Sequence, residues 1–220
     1  MKSFTLRVTC ASTRGIVAAI SGFLADAECN ITDSAQFDDV ETGRFFMRVS
    51  FRSEGAVTLE SLRAGFEAIA TRFGMEAEIS DDSVKKKVLI MVSRFGHCLN
   101  DLLYRWRIGA LPIDIVGVIS NHHEYQKVVV NHDIPFHMIR VTADTKAKAE
   151  AQQMEIIEQD TVRVTHAQSA GDYVSLGRDV ESQVLARAIH AHIHRRVFIS
   201  GDKTVVFPAS PNEYASERMG

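Results

Sequence analysis

VLIMVSRFGHCLNDLLYRW, residues 88–106, decides the fold of the second half of the chain. Val88–Val92 is an unbroken apolar run of strand length, the kind that parallel sheets bury on both faces. Ser93–His97 is a short turn, after which Leu99, Leu102, Leu103 and Trp106 recur at helical spacing until Gly109 and Pro112 stop them. Ile113–Ile119 is a second apolar strand, closing at Ser120-Asn121-His122-His123. Ile134–Val141 is a third, with Pro135 near its start, where a missing N–H is tolerated. This alternation predicts a doubly wound sheet, in which ligands bind beyond the carboxyl ends of the strands.

Further on the pattern breaks. Asp144-Thr145 has the chemistry of an N-cap, and Lys146–Met154 is strongly helix-forming. From Ile156 to His166 the chain switches at once to β-branched alternation, with no Gly, Pro, Asn or Ser between the two to reverse it. A helix covering a sheet needs a loop of roughly 2–6 residues to re-enter it. The sequence reads as joined at Met154–Glu155 rather than turned. After a loop at 168–172, Val174 to about His194 reads as a long helix, and Val197–Ile199 with Thr204–Phe207 as a hairpin around Gly201-Asp202.

Working back toward the N-terminus, the first eighty residues read as a βαββαβ unit. Phe4–Cys10 alternates like a half-buried strand, and Ile16, Ala19, Ile20, Phe23 and Leu24 form one helical face. Asn30–Phe37 has a period of two, with Ile31, Ala35 and Phe37 on one side. Arg44–Phe51 repeats that period after a turn at Asp38-Asp39 and Gly43. Leu59, Leu62, Phe66, Ile69 and Phe73 return to helical spacing, and Met75–Ile79 closes the sheet. The expectation is a ferredoxin-like α+β sandwich followed by a Rossmann-like α/β domain. Asp81-Asp82-Ser83 and Lys85–Lys87 read as a solvated linker, giving domains at 1–82 and 83–208 and a flexible tail at 209–220.

Composition limits the function classes. Of 220 residues, 45% are hydrophobic and 24% charged, with a formal net charge of -3. No broad basic field exists to attract nucleic acid or an anionic membrane. No apolar run reaches the roughly 18 residues that cross a bilayer, and Arg7 interrupts any signal-peptide core. Cys10, Cys29 and Cys98 are widely spaced with no CxxC, which fits a reducing cytoplasm rather than a disulfide scaffold.

The substrate-cleft candidates stand at strand ends: Ser93, His97, Asn121 and His122. The Ser93–His97 turn has one Gly and no P-loop spacing, but it offers backbone N–H groups at a helix N-terminus to an anion. Cys98 has no sequence partner for a nucleophile and reads as a buried small hydrophobe. On a helix only His190 and His194 of HAHIH align, without a carboxylate as third ligand. That segment reads as a solvated helix end, and no metal is assigned. His137 and His166 are read as structural.

An ordered set of motifs carries a resemblance. Gly15–Ala25, Cys29-Asn-Ile, Gln36-Phe-Asp and Thr42–Val49 resemble the amino-terminal ACT domain of formyltetrahydrofolate deformylases. Lys86-Lys-Val, Met91-Val-Ser, His97–Trp106, Ile119-Ser-Asn-His, Asp133–His137, Gly177–Glu181 and Lys203–Phe207 resemble the formyltransferase-type domain of the same family. The resemblance runs from residue 4 to residue 207. It implies hydrolysis of 10-formyltetrahydrofolate to formate and tetrahydrofolate, feeding purine synthesis and balancing the one-carbon pool, with no cofactor. The catalytic domain resembles glycinamide ribonucleotide transformylase. An Asn and a His polarise the formyl oxygen and an Asp activates water, a tetrahedral oxyanion being stabilised by positioned donors.

Here the sequence departs from the family. Two central strands, the Asn-Ile-His-His-Ser-Phe-Leu-Pro segment and the Asp-Glu-Gly-Pro loop are absent at Met154–Glu155, so no catalytic residue carries over. Asn121-His122-His123 matches a family segment outside the triad, and Asp160 follows the missing loop. The ACT resemblance implies a small amino-acid effector at the loop holding Ser12, Gly15 and Ile16, although Cys10-Ala-Ser-Thr-Arg stands where the family has a Cys-Pro-Asp-Arg type run. A lone four-stranded sheet of this kind has exposed edges, and pairing them between subunits predicts a homo-oligomer, at least a dimer, built partly through residues 4–80. Two rival readings remain: a shortened, inactive ACT-containing regulatory or binding protein, and a transferase with an amine acceptor. The ACT domain argues against the second.

Overall fold

The computed structural model describes residues 2–139, 158–201 and 203–209. The expected helix at 146–154, the joint at Met154–Glu155 and the tail from Ser210 onward lie outside the described residues. The chain divides into two units, Met1–Val84 and Lys85–Gly220.

In the first unit the order is β1 (Lys2–Ala11), α1 (Ile16–Asp26), β2 (Cys29–Asp39), β3 (Arg44–Ser53), α2 (Leu59–Phe73) and β4 (Glu76–Asp81). The antiparallel sheet runs β2-β3-β1-β4, the order of a ferredoxin-like sandwich. Helical spacing does what the sequence predicts. Ile16, Ile20 and Leu24 of α1 and Leu62 and Phe66 of α2 bury against Phe4, Leu6, Val8, Met47, Val49 and Phe51. Both helices have defined starts. Gly15 enters α1 with φ +93°, a left-handed conformation that suits glycine. Thr58 and Ser61 form a capping box on α2, each side chain accepting the other's backbone N–H at 3.1 Å.

Two expectations fail here. Ile31, Ala35 and Phe37 do not share a face. A β-bulge between Ile31 and Asp33 shifts the register, so Ile31 packs on the core while Phe37 stacks on Phe46 with ring centroids 6.4 Å apart. One extra residue inverts every later side chain in a strand. Nor is β1 half-buried: Thr5 and Thr9 on its other face are buried too, as are Phe46 and Arg48 on β3. On that face the Thr5 hydroxyl donates to Asp82 at 3.1 Å and lies 3.3 Å from the Ser50 hydroxyl. The Arg48 guanidinium meets the Asp33 carboxylate at 2.7 Å.

The second unit comprises β5 (Lys86–Val92), α3 (His97–Arg107), β6 (Ile113–Ser120), α4 (Gln126–Val130), β7 (Phe136–Met138), α5 (Ala170–Ile193), β8 (Val197–Ser200) and β9 (Lys203–Val206). β5, β6 and β7 form a parallel sheet in that order, and β8 and β9 pair as an antiparallel hairpin. The core gathers Ile90, Ile113, Ile115 and Val118 of the sheet with Leu99, Leu102 and Leu103 of α3, Val129, Ile134 and Ile193. No described helix is long and apolar enough to cross a membrane.

β5 is not buried on both faces. Ile90 is buried, but Leu89 is 49% and Met91 79% exposed. Among the described residues β6 is its only neighbouring strand, and a parallel strand is enclosed only when strands flank it and helices cover both sides. The described part of the 156–166 alternation, from Glu158 onward, forms no strand, because alternation without a hydrogen-bonding neighbour does not make one. β7 spans Phe136–Met138, within the longer strand expected over 134–141. Conversely α5 begins at Ala170, inside the expected 168–172 loop, because Ser169 and Asp172 form a capping box.

Candidate functional site

Parallel ladders bring their carboxyl ends to one edge, and that edge is where a cleft is expected. Val92 pairs with Ser120, and Ser120 with Met138, so Ser93 and Asn121 follow neighbouring strand ends. His122 is held there by its backbone, whose N–H donates to the Ser120 hydroxyl at 3.0 Å. The Ser120 carbonyl accepts the Ile139 N–H at 2.9 Å. His123 turns its ring to Gln126 Oε1 at 3.3 Å.

Tyr125, which sequence reasoning missed, organises the loop from Ser93 to His97. Its hydroxyl accepts the Gly96 N–H at 2.8 Å and donates to the Arg94 carbonyl at 3.4 Å. The ring lies so close that a Cβ on Gly96 would stand 2.3 Å from two of its carbons. Position 96 therefore needs glycine for close approach. The same contact takes up the Gly96 N–H, so that amide is not free for an anion as the loop's position suggested. Nothing in the spacing of Tyr125 signals this role; it stands in the turn just before α4.

His97 has an acidic partner on another helix. It opens α3, and its Nε2 lies 2.6 Å from a carboxylate oxygen of Glu181 on α5. The next residue, Cys98, accepts a hydrogen bond from the Ser182 hydroxyl at 3.9 Å. Burial pushes the Cys98 thiol above its ordinary range; the charges of Glu181 and Asp101 push it further, while the Ser182 hydroxyl pulls it back. A thiol held protonated is no ready nucleophile. Beside them the Arg178 guanidinium lies 5.0 Å from the Phe95 ring centre. Glu181 was visible in the sequence only as part of the Gly177–Glu181 motif, with no chemistry attached.

Other histidines and carboxylates find structural work. His190 is buried, not solvated as expected for a helix end, and its ring lies 4.2 Å from that of His194 on the next turn. The helical i, i+4 alignment of the two places them in ring contact. Asp160 meets the Arg187 guanidinium at 2.8 Å, and that hydrogen bond, with one from the Thr161 N–H, holds its carboxyl below the usual range.

In the first unit the Ser12 N–H donates to the Gly43 carbonyl at 2.8 Å, tying the β1–α1 loop to the β2–β3 turn. Gly15 sits at the mouth of that loop. Ile16 is 2% exposed and part of the core, so of the three expected effector residues only Ser12 and Gly15 lie in the loop itself. The groove between α2 and β4, lined by Phe66, Ala70, Met75 and Ile79, is built from none of them.

No family model matches the chain. It is 31% identical to a formyltetrahydrofolate deformylase of a Corynebacterium species in an alignment of 276 positions that covers 91% of this chain and 96% of the relative. A Bacillus subtilis relative of the same name is 30% identical, with 92% and 93% covered. Among solved structures, a formyltetrahydrofolate deformylase from Burkholderia mallei is similar at a TM-score of 0.86 and 33% identity, covering 94% of this chain and all of that one. An alignment of 276 positions cannot be filled by 220 residues, so dozens of positions in the Corynebacterium relative have no counterpart here.

Proposed function

The chain belongs to the formyltetrahydrofolate deformylase family, and on that premise we propose that the family's reaction is the hydrolysis of 10-formyltetrahydrofolate and that this chain lacks the segment holding the residues that perform it. In that reaction water adds to the formyl carbon, the bond to the folate nitrogen breaks, the nitrogen gains a proton and formate leaves. It requires donors for the oxyanion and a base for the water. The observation that carries the reading is the parallel sheet: β5 has one strand neighbour among the described residues and exposes Leu89 and Met91. Ser93, Asn121 and His122 at the strand ends bring no carboxylate, and His97 is turned to Glu181.

Removing one oxyanion donor costs about 10²–10³ in rate, so losing the Asn, His and Asp together leaves no measurable turnover. The purified 220-residue protein is expected to release no more formate from 10-formyltetrahydrofolate than a buffer blank, and a chain with the missing segment restored is expected to be active. Release well above the blank overturns the reading. Alanine substitution of His97, Asn121 and His122 then shows which of them has built a substitute site.

The first unit, with its four strands and two helices, supports a second role for the shortened chain: regulation through a small amino acid at the loop of Ser12 and Gly15, in a homo-oligomer paired through the β2 and β4 edges. Calorimetry with amino acids tests the first. A monomer by light scattering at micromolar concentration counts against the second. The three free thiols are in keeping with a reducing cytoplasm.

A further inference from the structure

Where α5 meets the start of α3, donors of three kinds come together at one point. His97 Nε2, Cys98 Sγ and a Glu181 carboxylate oxygen all lie within 4.8 Å of one another. We propose that these three side chains form a binding site for a thiophilic divalent cation of the Zn²⁺ class, stapling the N-terminus of α3 to the middle of α5. This site uses side chains to which the folate reaction as read above assigns no step.

The donor set is chemically specific. Imidazole nitrogen, thiolate and carboxylate together suit zinc, whereas calcium and magnesium take oxygen alone. Bonds of about 2.0–2.3 Å in a tetrahedron hold donors roughly 3.3–3.6 Å apart. The present separations bracket that spacing: 2.6 Å between His97 and Glu181, and up to 4.8 Å across the set. Rotamer adjustment of Glu181, whose side chain is 66% exposed, is enough to open the pair to that distance. The same exposure gives an ion a path in from solvent, while His97 at 23% keeps one side of the site shielded. Three protein ligands leave the fourth position to water. Asp101, one turn along α3, adds negative charge near Cys98 without being a ligand, and it is held by Arg105 at 2.7 Å.

Binding displaces the Cys98 proton into solvent, because the thiolate is the ligand. Electrically, a divalent cation replaces the repulsion that Glu181 and Asp101 exert on a thiolate at this position with attraction to all three.

The test uses the whole chain, stripped with a chelator and dialysed. Co²⁺ is expected to bind at one equivalent and to give an intense thiolate-to-metal absorption band in the near ultraviolet. Zn²⁺ is expected to remove that band and to protect Cys98, identified by peptide mass mapping, from iodoacetamide. Losing a residue that only orients a ligand already weakens metal sites about 10–100-fold, so Cys98→Ala and His97→Ala are expected to exceed that range, with Cys98→Ala abolishing the band. Cys29→Ala, in the other unit, is expected to keep it. A circular dichroism spectrum matching the parent confirms that each variant has folded, and Glu181→Gln, the mildest change, is expected to weaken Zn²⁺ binding in competition with a chromophoric chelator. A band that persists in Cys98→Ala, a stoichiometry well below one, or Zn²⁺ affinity unchanged in Glu181→Gln overturns the proposal.

Discussion

Replacing Gly96 by alanine is the sharpest test of how the loop after β5 is held. The new Cβ would sit 2.3 Å from the Tyr125 ring, a distance no real pair of carbons tolerates, so one side must yield. If the loop moves, overpacking costs about 1–3 kcal/mol. If the ring swings out, the hydrogen bond from the Gly96 N–H at 2.8 Å is lost, about 1 kcal/mol, with about another 1 kcal/mol of partly buried aromatic surface. Either route gives about 2 kcal/mol. Trp106 is the chain's one tryptophan and lies in the second unit, where its indole N–H donates to the Ile113 carbonyl at 3.2 Å. Its fluorescence in a urea titration therefore reports on that unit. Tyr125→Phe, which removes only the hydroxyl, is expected to cost about 1 kcal/mol. Once Tyr125→Ala is in place the alanine at 96 has nothing to strike, so the double variant is expected to be no less stable than Tyr125→Ala alone. A Gly96→Ala chain that unfolds at the parent's urea midpoint, or strict additivity in the double variant, refutes the close-approach argument.

Two further outcomes bear on the first unit and on α5. Asp33→Ala removes the carboxylate that meets the almost wholly buried Arg48 guanidinium at 2.7 Å; a loss of about 2 kcal/mol, that of a hydrogen bond to a charged group, is expected, read by urea unfolding followed by circular dichroism. Asp172 has its carboxyl held below the usual range by hydrogen bonds from the backbone N–H and hydroxyl of Ser169. A depressed folded value means that its contribution to α5 is complete above the unfolded carboxylate range near pH 4 and is lost as pH falls through the depressed value. The Asp172 carboxyl, followed by NMR, is expected to titrate below that of an unstructured peptide, and Ser169→Ala to move it back up; an unchanged titration speaks against the cap.

The helices and strands of the first unit were legible because α1 and α2 carry one apolar face each and the core needs no partner beyond 84 residues. What defeated pattern reading there was a single bulge: nothing in Asn30-Ile31-Thr32-Asp33 marks where one residue drops out of pairing. In the second unit, Val88–Val92 read as an interior strand because composition reports what a strand is suited to, not which neighbours it has. The α5 start was written in the Ser169…Asp172 spacing, a box signal that the Gly171 between them obscured. Glu181, by contrast, was unreadable as a partner of His97, since the two are 84 residues apart and only tertiary packing unites them.

The exposed side chains of β5 also have a bearing on the fate of the chain in a crowded cell. Leu89 and Met91, two large apolar side chains open to solvent on one strand face, form a patch through which copies of the chain can pair. Loss to such pairing grows with concentration, whereas folding of one chain does not, so yield becomes a competition between dilution and synthesis rate. Slower expression at lower temperature, or a co-expressed holdase, is therefore expected to raise the amount of this protein recovered in solution.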